Sequence, residues 1–380
     1  MGEIPRFQRT TIYHGVPAER VLLVVGDLNA DGEPEIVVAA RRGADGLYWL
    51  GREEDGSWRR HLMDDSYPSL EAGGFLYDLT GTGSLDFVGG GDYSTQHLSW
   101  WECPQDPTEP WTRHLICELG AGQCHDQYVG DLDGDGRPEL YFWNQGARAL
   151  FSLPVPDDPR QSPWPGLCTV AEDLVEEGFA VADVDGDGRH ELIAGLSWYR
   201  VRGGGRVERH RFTDDFVSPR LAVADFDGNG QVDIVVAEGD ASYRRQDSDF
   251  GRVARLRHRG DPEAPWEAEL LHDRLLDPHS LAVADFDGDG RPDLFVGELG
   301  DPGGNDAHTP RQRIFYSRDG HLVEHVIDAG LGTHEAKVIS LAGDDGTVTG
   351  IVGKPYRGLR SEVPRSPEID GVQLWLPEGP

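Results

Sequence analysis

The chain has 380 residues, a formal net charge of -33, 50 glycines and 25 prolines. With so few basic residues no stripe exists to replace phosphate counterions, which excludes a nucleic-acid binder. No apolar run approaches the about 18 residues of a membrane helix, and helical periodicity is nearly absent, so an all-β chain is expected.

Read in chain order, "FQRTTIYHG" from Phe7 is a lone strand. An acidic hairpin follows, "VVGDLNADGEPEIVVA" from Val24, then an aromatic strand, "GLYWLGRE", and a strand ending in "WRRHLM". The hairpin recurs from Gly74, Tyr128, Ala180, Ala222 and Ala282, with a decayed copy from Lys337. Its leading residue is Asp27, Asp78, Asp131, Asp183, Asp225, Asp285 and finally Ser340, a period of roughly 40 to 60 residues that lies in the propeller range. Aromatic strands such as "HLSWWECP" and "RIFYSRDG" recur with it, as do outer strands such as "WTRHLI", "VERHRF" and "LVEHVI". Four strands per period make one propeller blade. The C-terminal "GVQLWLP" lacks a fourth strand, and "FQRTTIYHG" supplies it, closing the ring and removing its open edges. One seven-bladed β-propeller domain over residues 1–380 is the expectation.

The hairpin "DLDGDGRPEL" alternates carboxylates as a calcium loop does, but it is no EF-hand: the twelfth residue from Asp131 is Phe142, not a bidentate Glu. Carboxylates at positions one, three, five and nine can cage a hard cation. Full sets are Asp131/Asp133/Asp135/Glu139, Asp183/Asp185/Asp187/Glu191 and Asp285/Asp287/Asp289/Asp293. Asp225/Asp227/Asn229/Asp233 and Asp27/Asn29/Asp31/Glu35 keep an amide at one position and are still expected to bind. Asp78/Thr80/Thr82/Asp86 has lost charge, and the copy at Ser340 is expected to hold nothing. About five structural Ca²⁺ ions follow, with oxygen ligands as this ion prefers.

The recurring Asp-x-Asp-Gly-Asp-Gly-x-x-Asp/Glu pattern resembles the FG-GAP/VCBS-repeat β-propellers, a family that includes integrin α-chain heads. The resemblance spans almost the whole chain and implies calcium in the hairpins of one face. It implies no single function, since such propellers serve as adhesion modules, lectins, lyases and dehydratases.

The other face carries different residues. Six positions before each leading residue stand Val21, Ala72, His125, Glu177, Pro219, His279 and His334. The next positions are Leu22, Gly73, Asp126, Gly178, Arg220, Ser280 and Glu335. These positions should ring the central channel. Long loops in the last three blades bring Tyr243, Arg244, Arg245, His308, Lys354, Tyr356 and Arg357, and blade two adds Asp92, Tyr93 and His97. By contrast His61, His114, His210 and His325 recur at one outer-strand position and read as architecture. Trp198 and Tyr199 fit either a sugar platform or the core.

Arg220, Arg244 and Lys354 at a pore mouth invite an anionic ligand, because arginine matches a carboxylate with a two-pronged hydrogen bond. Histidines exchange protons near neutral pH. The set suits β-elimination beside a carbonyl or carboxylate. His125, His279, His334 and Tyr356 are the candidate acid–base groups; Arg220, Arg244, Lys354, Tyr93, Glu177 and Glu335 are the candidate binding groups. The stretches around His279, His334, Glu335, Lys337 and "GKPY" also resemble propellers related to aldos-2-ulose dehydratase and rhamnose–glucuronate polysaccharide lyases, which implies the location of the site more than individual roles.

A saccharide-active lyase or dehydratase, acting on a uronate-containing or oxidised sugar, is therefore expected. A non-catalytic calcium-stabilised module that binds carbohydrate or protein is the alternative. The pore histidines could instead hold a second divalent metal. A monomer is expected, with a saccharide as partner. Calcium loops favour an extracytoplasmic setting, although no signal segment is visible. Cys103, Cys117, Cys124 and Cys168 lack CxxC spacing and read mainly as buried thiols, with a Cys117–Cys124 pair left open.

Overall fold

In a computed structural model of the chain, seven four-stranded antiparallel sheets form the blades of a β-propeller. The structure describes residues 4–15, 21–40, 46–66, 69–174, 176–203, 206–239, 248, 250–300, 309–343, 346–355 and 370–378. Innermost strands, from blade one to blade seven, are Val21–Gly26, Phe75–Tyr77, Cys124–Gly130, Phe179–Ala182, Pro219–Ala224, Pro278–Ala284 and Glu335–Gly343. In six blades each strand pairs with the next one in sequence. Blade seven differs: Phe7–His14 pairs with Gly371–Pro377, so the two ends of the chain share one sheet. The ring is closed as the two lone strands required.

The second strands read as unbroken apolar runs because both faces are covered. "EIVVAA", for example, sends Ile36 and Val38 toward blade seven and Val37 and Ala39 toward blade two. Hydrophobic burial is accordingly divided into seven slabs, one between each pair of adjacent blades. The fully buried Trp100, Trp198 and Trp375 lie in these slabs.

Three slabs carry an added latch. The Pro107 carbonyl accepts indole N–H groups from Trp49 of blade one and Trp111 of blade two. Pro159 does the same for Trp100 and Trp164, and Pro262 for Trp198 and Trp266. Each latch joins a blade to the next and satisfies two buried donors, which would otherwise cost about 1–3 kcal/mol each. The outer-strand histidines are part of the same construction. His61, His114 and His210 stack on Trp49, Trp100 and Trp198 with ring centroids 4.0, 4.5 and 4.1 Å apart. Tyr199 is fully buried beside blade three, so it and Trp198 are core residues rather than a sugar platform.

All four cysteines are free thiols. Burial pushes Cys117 up to about 12 and Cys124 beyond the usual thiol range. Among the described residues no helix is long and apolar enough to cross a membrane.

Candidate site at the central pore

The acidic hairpins hang from the far ends of the innermost strands. Each leading Asp accepts backbone N–H groups from its own loop: Asp131 from Gly134, Asp135 and Gly136, for example. Gly134 and Gly136 take φ of 75° and 89°, a left-handed conformation that glycine adopts without a Cβ penalty. In blades three to six, three carboxylates of each loop bring oxygens within 4.8 Å of one another, a spacing that fits a shared cation. These groups are Asp131/Asp133/Glu139, Asp183/Asp185/Glu191, Asp225/Asp227/Asp233 and Asp285/Asp287/Asp289.

In blades three, four and six the group is one residue short of the four-ligand set that the sequence suggests. In blades three and four the missing member is the fifth position: Asp135 and Asp187 do not join their groups. Asp289 of blade six stays in its group while accepting the Arg291 amide, and the fifth positions of blades three to five bond back to their loops in the same way. Their Oδ1 atoms accept the amides of Arg137, Arg189 and Gln231 at 2.8, 2.9 and 2.7 Å. Asp187 is also drawn outward, its Oδ2 lying 3.7 Å from Arg202 Nη1. Asn229 brings a neutral amide, which lacks the charge of the carboxylates around it. In blade six it is Asp293 that stays apart, because the amides of Phe286 and Ser317 occupy its two oxygens. Burial and the neighbouring aspartates raise Glu139 to about 7, while Glu191 is raised to about 7 chiefly by burial. A cation would reverse both effects.

The other hairpins differ. In blade one, Asn29 Nδ2 donates to Asp31 at 3.0 Å and to Glu35 at 2.9 Å, so the amide itself draws those carboxylates together. In blade two, Thr80 and Thr82 hydroxyls meet at 3.0 Å in place of carboxylates. Blade seven pairs without interruption from Glu335↔Lys354 to Gly343↔Gly346, and Ser340 faces Thr349 inside that ladder. Ser340 therefore lies within a strand rather than at the head of a loop.

At the near ends of the same strands, a cavity of about 140 Å³ opens on the ring axis. His125, Asp126, Arg220, His279, His334 and Glu335 line it, together with Lys337. Two of these side chains are aimed by bulges. Pairing skips Asp126 between His125 and Gln127, and skips His279 between Pro278 and Ser280. Bulges re-aim side chains and are common beside functional sites. Asp126 has a φ of 44°, where Gly73 and Gly178 stand at the matching positions with φ of 108° and 84°. Holding a non-glycine residue there costs of order 1 kcal/mol, which the surrounding bonds must offset.

Those bonds form one network. Asp126 Oδ2 takes His125 Nδ1 at 3.0 Å and the Gly178 amide at 2.8 Å. Burial opposes its charge, but His125, Arg220 and that amide together hold Asp126 below the usual carboxylate range. Glu177, nearly buried, pairs with Arg220, accepts from Gln145, and lies 3.8 Å from His125 Nε2. Arg220 Nη2 lies 2.8 Å from His279 Nε2, and His279 Nδ1 faces the Gly239 carbonyl. The carbonyl can only accept, so the proton sits on Nδ1 and Nε2 accepts from Arg220. The His279 and His334 rings are 4.6 Å apart. Lys337 Nζ meets Glu335 at 2.9 Å, and Glu335 also accepts the Leu23 amide. Burial disfavours the Lys337 ammonium, yet Glu335 outweighs it and holds the group above the usual lysine value.

The structure thus brings together His125, His279, His334, Arg220, Glu177 and Glu335. It does not bring Lys354 to the cavity: the residue is fully buried, its Nζ donates to the Pro355 carbonyl at 3.3 Å, and burial lowers it to about 7. Tyr93 is about half exposed in blade two and does not line the cavity. Tyr356 and Arg244 lie outside the described residues, as do Tyr243, Arg245, His308 and Arg357. Lys337 enters the sequence reading only through a resemblance, although a positional signal exists. Three residues before the leading position the blades carry Val24, Phe75, Tyr128, Ala180, Ala222 and Ala282, then Lys337.

Residues 225–296 match the FG-GAP-like repeat family. No curated protein matches the chain. Among solved structures it is similar to the N-terminal domain of Nup159, at 11% identity over 99% of this chain and 97% of that one, with a TM-score of 0.48. It is also similar to the Vibrio cholerae biofilm matrix protein Bap1, at 12% identity over 98% of this chain and 70% of that one, with a TM-score of 0.41. Neither likeness bears on the chemistry of the pore.

Proposed function

We propose that the protein is a carbohydrate-active lyase or dehydratase that performs β-elimination at the pore on a uronate-containing or keto sugar. The observation that carries this reading is the convergence of His279, His334, Arg220 and Lys337 on one cavity. A substrate carboxylate or carbonyl would be held by Arg220 and Lys337, whose charges stabilise the enolate that forms. His334 would take the α-proton; the electron pair left behind forms the new C=C bond as the β C–O bond breaks. The departing oxygen would receive its proton from a second acid, His125 or Tyr356. His279 has its Nε2 lone pair engaged by Arg220, so it would enter the chemistry only once Arg220 turns to the substrate. In this reading calcium in the hairpins braces the strands and takes no chemical part.

A second reading, a non-catalytic calcium-stabilised module that binds carbohydrate or protein, is favoured by a separate observation. Arg220 and Lys337 already face Glu177 and Glu335. The cavity of about 140 Å³ is also smaller than the roughly 300–1,000 Å³ of most small-molecule sites. The test is the ultraviolet absorbance of unsaturated product, using oxidised sugars and uronate-containing oligosaccharides as substrates. Product formed by wild type and lost in His334→Ala, with folding and calcium content unchanged, supports elimination. Saturable binding of one glycan without product across the panel supports the binding module.

A further inference from the structure

Blade five's hairpin has the carboxylate spacing of a cation site, but its cage already contains a charge. Arg255, on the third strand Gly251–Arg257, is fully buried. Its Nη2 lies 2.7 Å from Asp227 Oδ2 and 2.8 Å from Asp233 Oδ2, the oxygens of loop positions three and nine. Its Nε lies 3.0 Å from the same Asp233 oxygen, and its Nη1 donates to the Gly320 carbonyl of blade six at 3.0 Å. A calcium ion would sit about 2.3–2.6 Å from the oxygens it binds. Here a guanidinium nitrogen bridges two of them.

We propose that Arg255 takes the place of the metal in blade five, so that this hairpin keeps its shape without calcium. The neutral Asn229 at position five fits that role, since a cage with its own cation needs one carboxylate fewer. Blade three is the counter-example within the same ring. Its third strand, Ala149–Pro154, carries no basic residue, and the Arg137 side chain of the loop turns away to Asp157. Asp131, Asp133, Asp135 and Glu139 bond to the loop backbone and, for Glu139, to the Tyr141 hydroxyl at 3.4 Å. Among the described residues no arginine side chain pairs with those four carboxylates. Blades four and six are intermediate. Arg200 reaches only position three, at Asp185, while Arg318 reaches positions three and five, at Asp287 and Asp289. Among these arginines Arg255 alone spans positions three and nine.

The placement matters because each hairpin anchors one innermost strand. Asp225 directly follows the strand Pro219–Ala224 that carries Arg220, whereas Asp131 follows the strand Cys124–Gly130 that carries His125. Calcium would then brace the His125 side of the pore, and Arg255 the Arg220 side.

Hydrogen exchange of the wild-type protein, with calcium and then with excess chelator, tests this without any substitution. Amides of residues 131–139 should lose protection on chelation while those of 225–233 keep theirs. Arg255→Met adds a second arm: the variant should gain one calcium per chain by equilibrium dialysis, and residues 225–233 should become chelator-sensitive. Chelation that slackens both loops alike, or leaves both unchanged, overturns the proposal. So does an Arg255→Met variant that folds with an unchanged or lower calcium count.

Discussion

On the hairpin face, Asp131, Asp183, Asp225 and Asp285 each accept the amide of the glycine five residues on, at 2.7–3.0 Å. At the opposite ends of the same strands stand His125 and Asp126, then Glu177 and Gly178, then Pro219 and Arg220, then His279 and Ser280. Through blades three to six one face repeats its bonds, while the other carries a different residue pair in each blade. The hairpin recurs in most blades and the latch and histidine stack in three, so repetition marks what the fold uses. Side chains that depart from the repeat answer to something else. At the pore they converge on one asymmetric cavity, which is the pattern of a single site rather than of seven equivalent pockets.

The contrast predicts that changes to repeated residues act on stability and changes to pore residues act on function. Trp198→Ala removes slab packing, the His210 stack and a hydrogen bond to the Pro262 carbonyl. It should destabilise by about 3–5 kcal/mol, read by denaturant unfolding. His334→Ala should leave that unfolding curve near wild type while lowering the elimination rate by about 10²–10⁴-fold, the usual worth of a general acid or base.

A smaller effect distinguishes calcium-free from calcium-loaded hairpins. Burial raises Glu139 and Glu191 from 4.5 to about 7, so between those values the folded state holds protons that the unfolded chain has released. In chelator, their stabilising contribution is present below the unfolded value and is lost as pH rises through about 7. Thermal melts in chelator should therefore fall from pH 5 toward pH 7.5. Calcium requires the ionised carboxylates, so calcium should flatten or reverse that fall. A fall of equal size in calcium and in chelator would separate these groups from any metal. Least of all should Tyr93→Phe matter: a half-exposed side chain away from the cavity should shift stability by under about 0.5 kcal/mol and leave ligand binding unchanged by calorimetry.

Much of this architecture could be read from the chain because the hairpin motif fixes a register. Once Asp131 and its counterparts are aligned, counting back six residues finds the pore ring, and the unmatched terminal strands find each other. Other features depended on three-dimensional detail. The bulges at Asp126 and His279 re-aim side chains that strict alternation would place elsewhere. Spacing alone put Asp187 beside Asp183 and Asp185, but its Oδ2 lies 3.7 Å from Arg202 Nη1 and the group closes without it. Lys354 follows Val352 in alternation, and Val352 packs in the slab between blades seven and one. A loop position therefore proved a poor guide to an exposed lysine. Arg255 sits mid-strand among apolar neighbours, and only pairing across the blade shows that it enters the cage below. The latches did leave a trace in "QDPTEPW", "DDPRQSPW" and "GDPEAPW", a second repeat obscured by the stronger acidic one.

Histidine side-chain NMR compares both classes of residue in one experiment. Imidazole signals of wild-type protein in calcium would be followed during titration with a glucuronate-containing disaccharide, with assignments from single His→Gln variants. Shifts at His125, His279 and His334, with His61, His114, His210 and His325 unmoved, are the expected result. Movement of the outer histidines with the pore signals unchanged would contradict a functional pore.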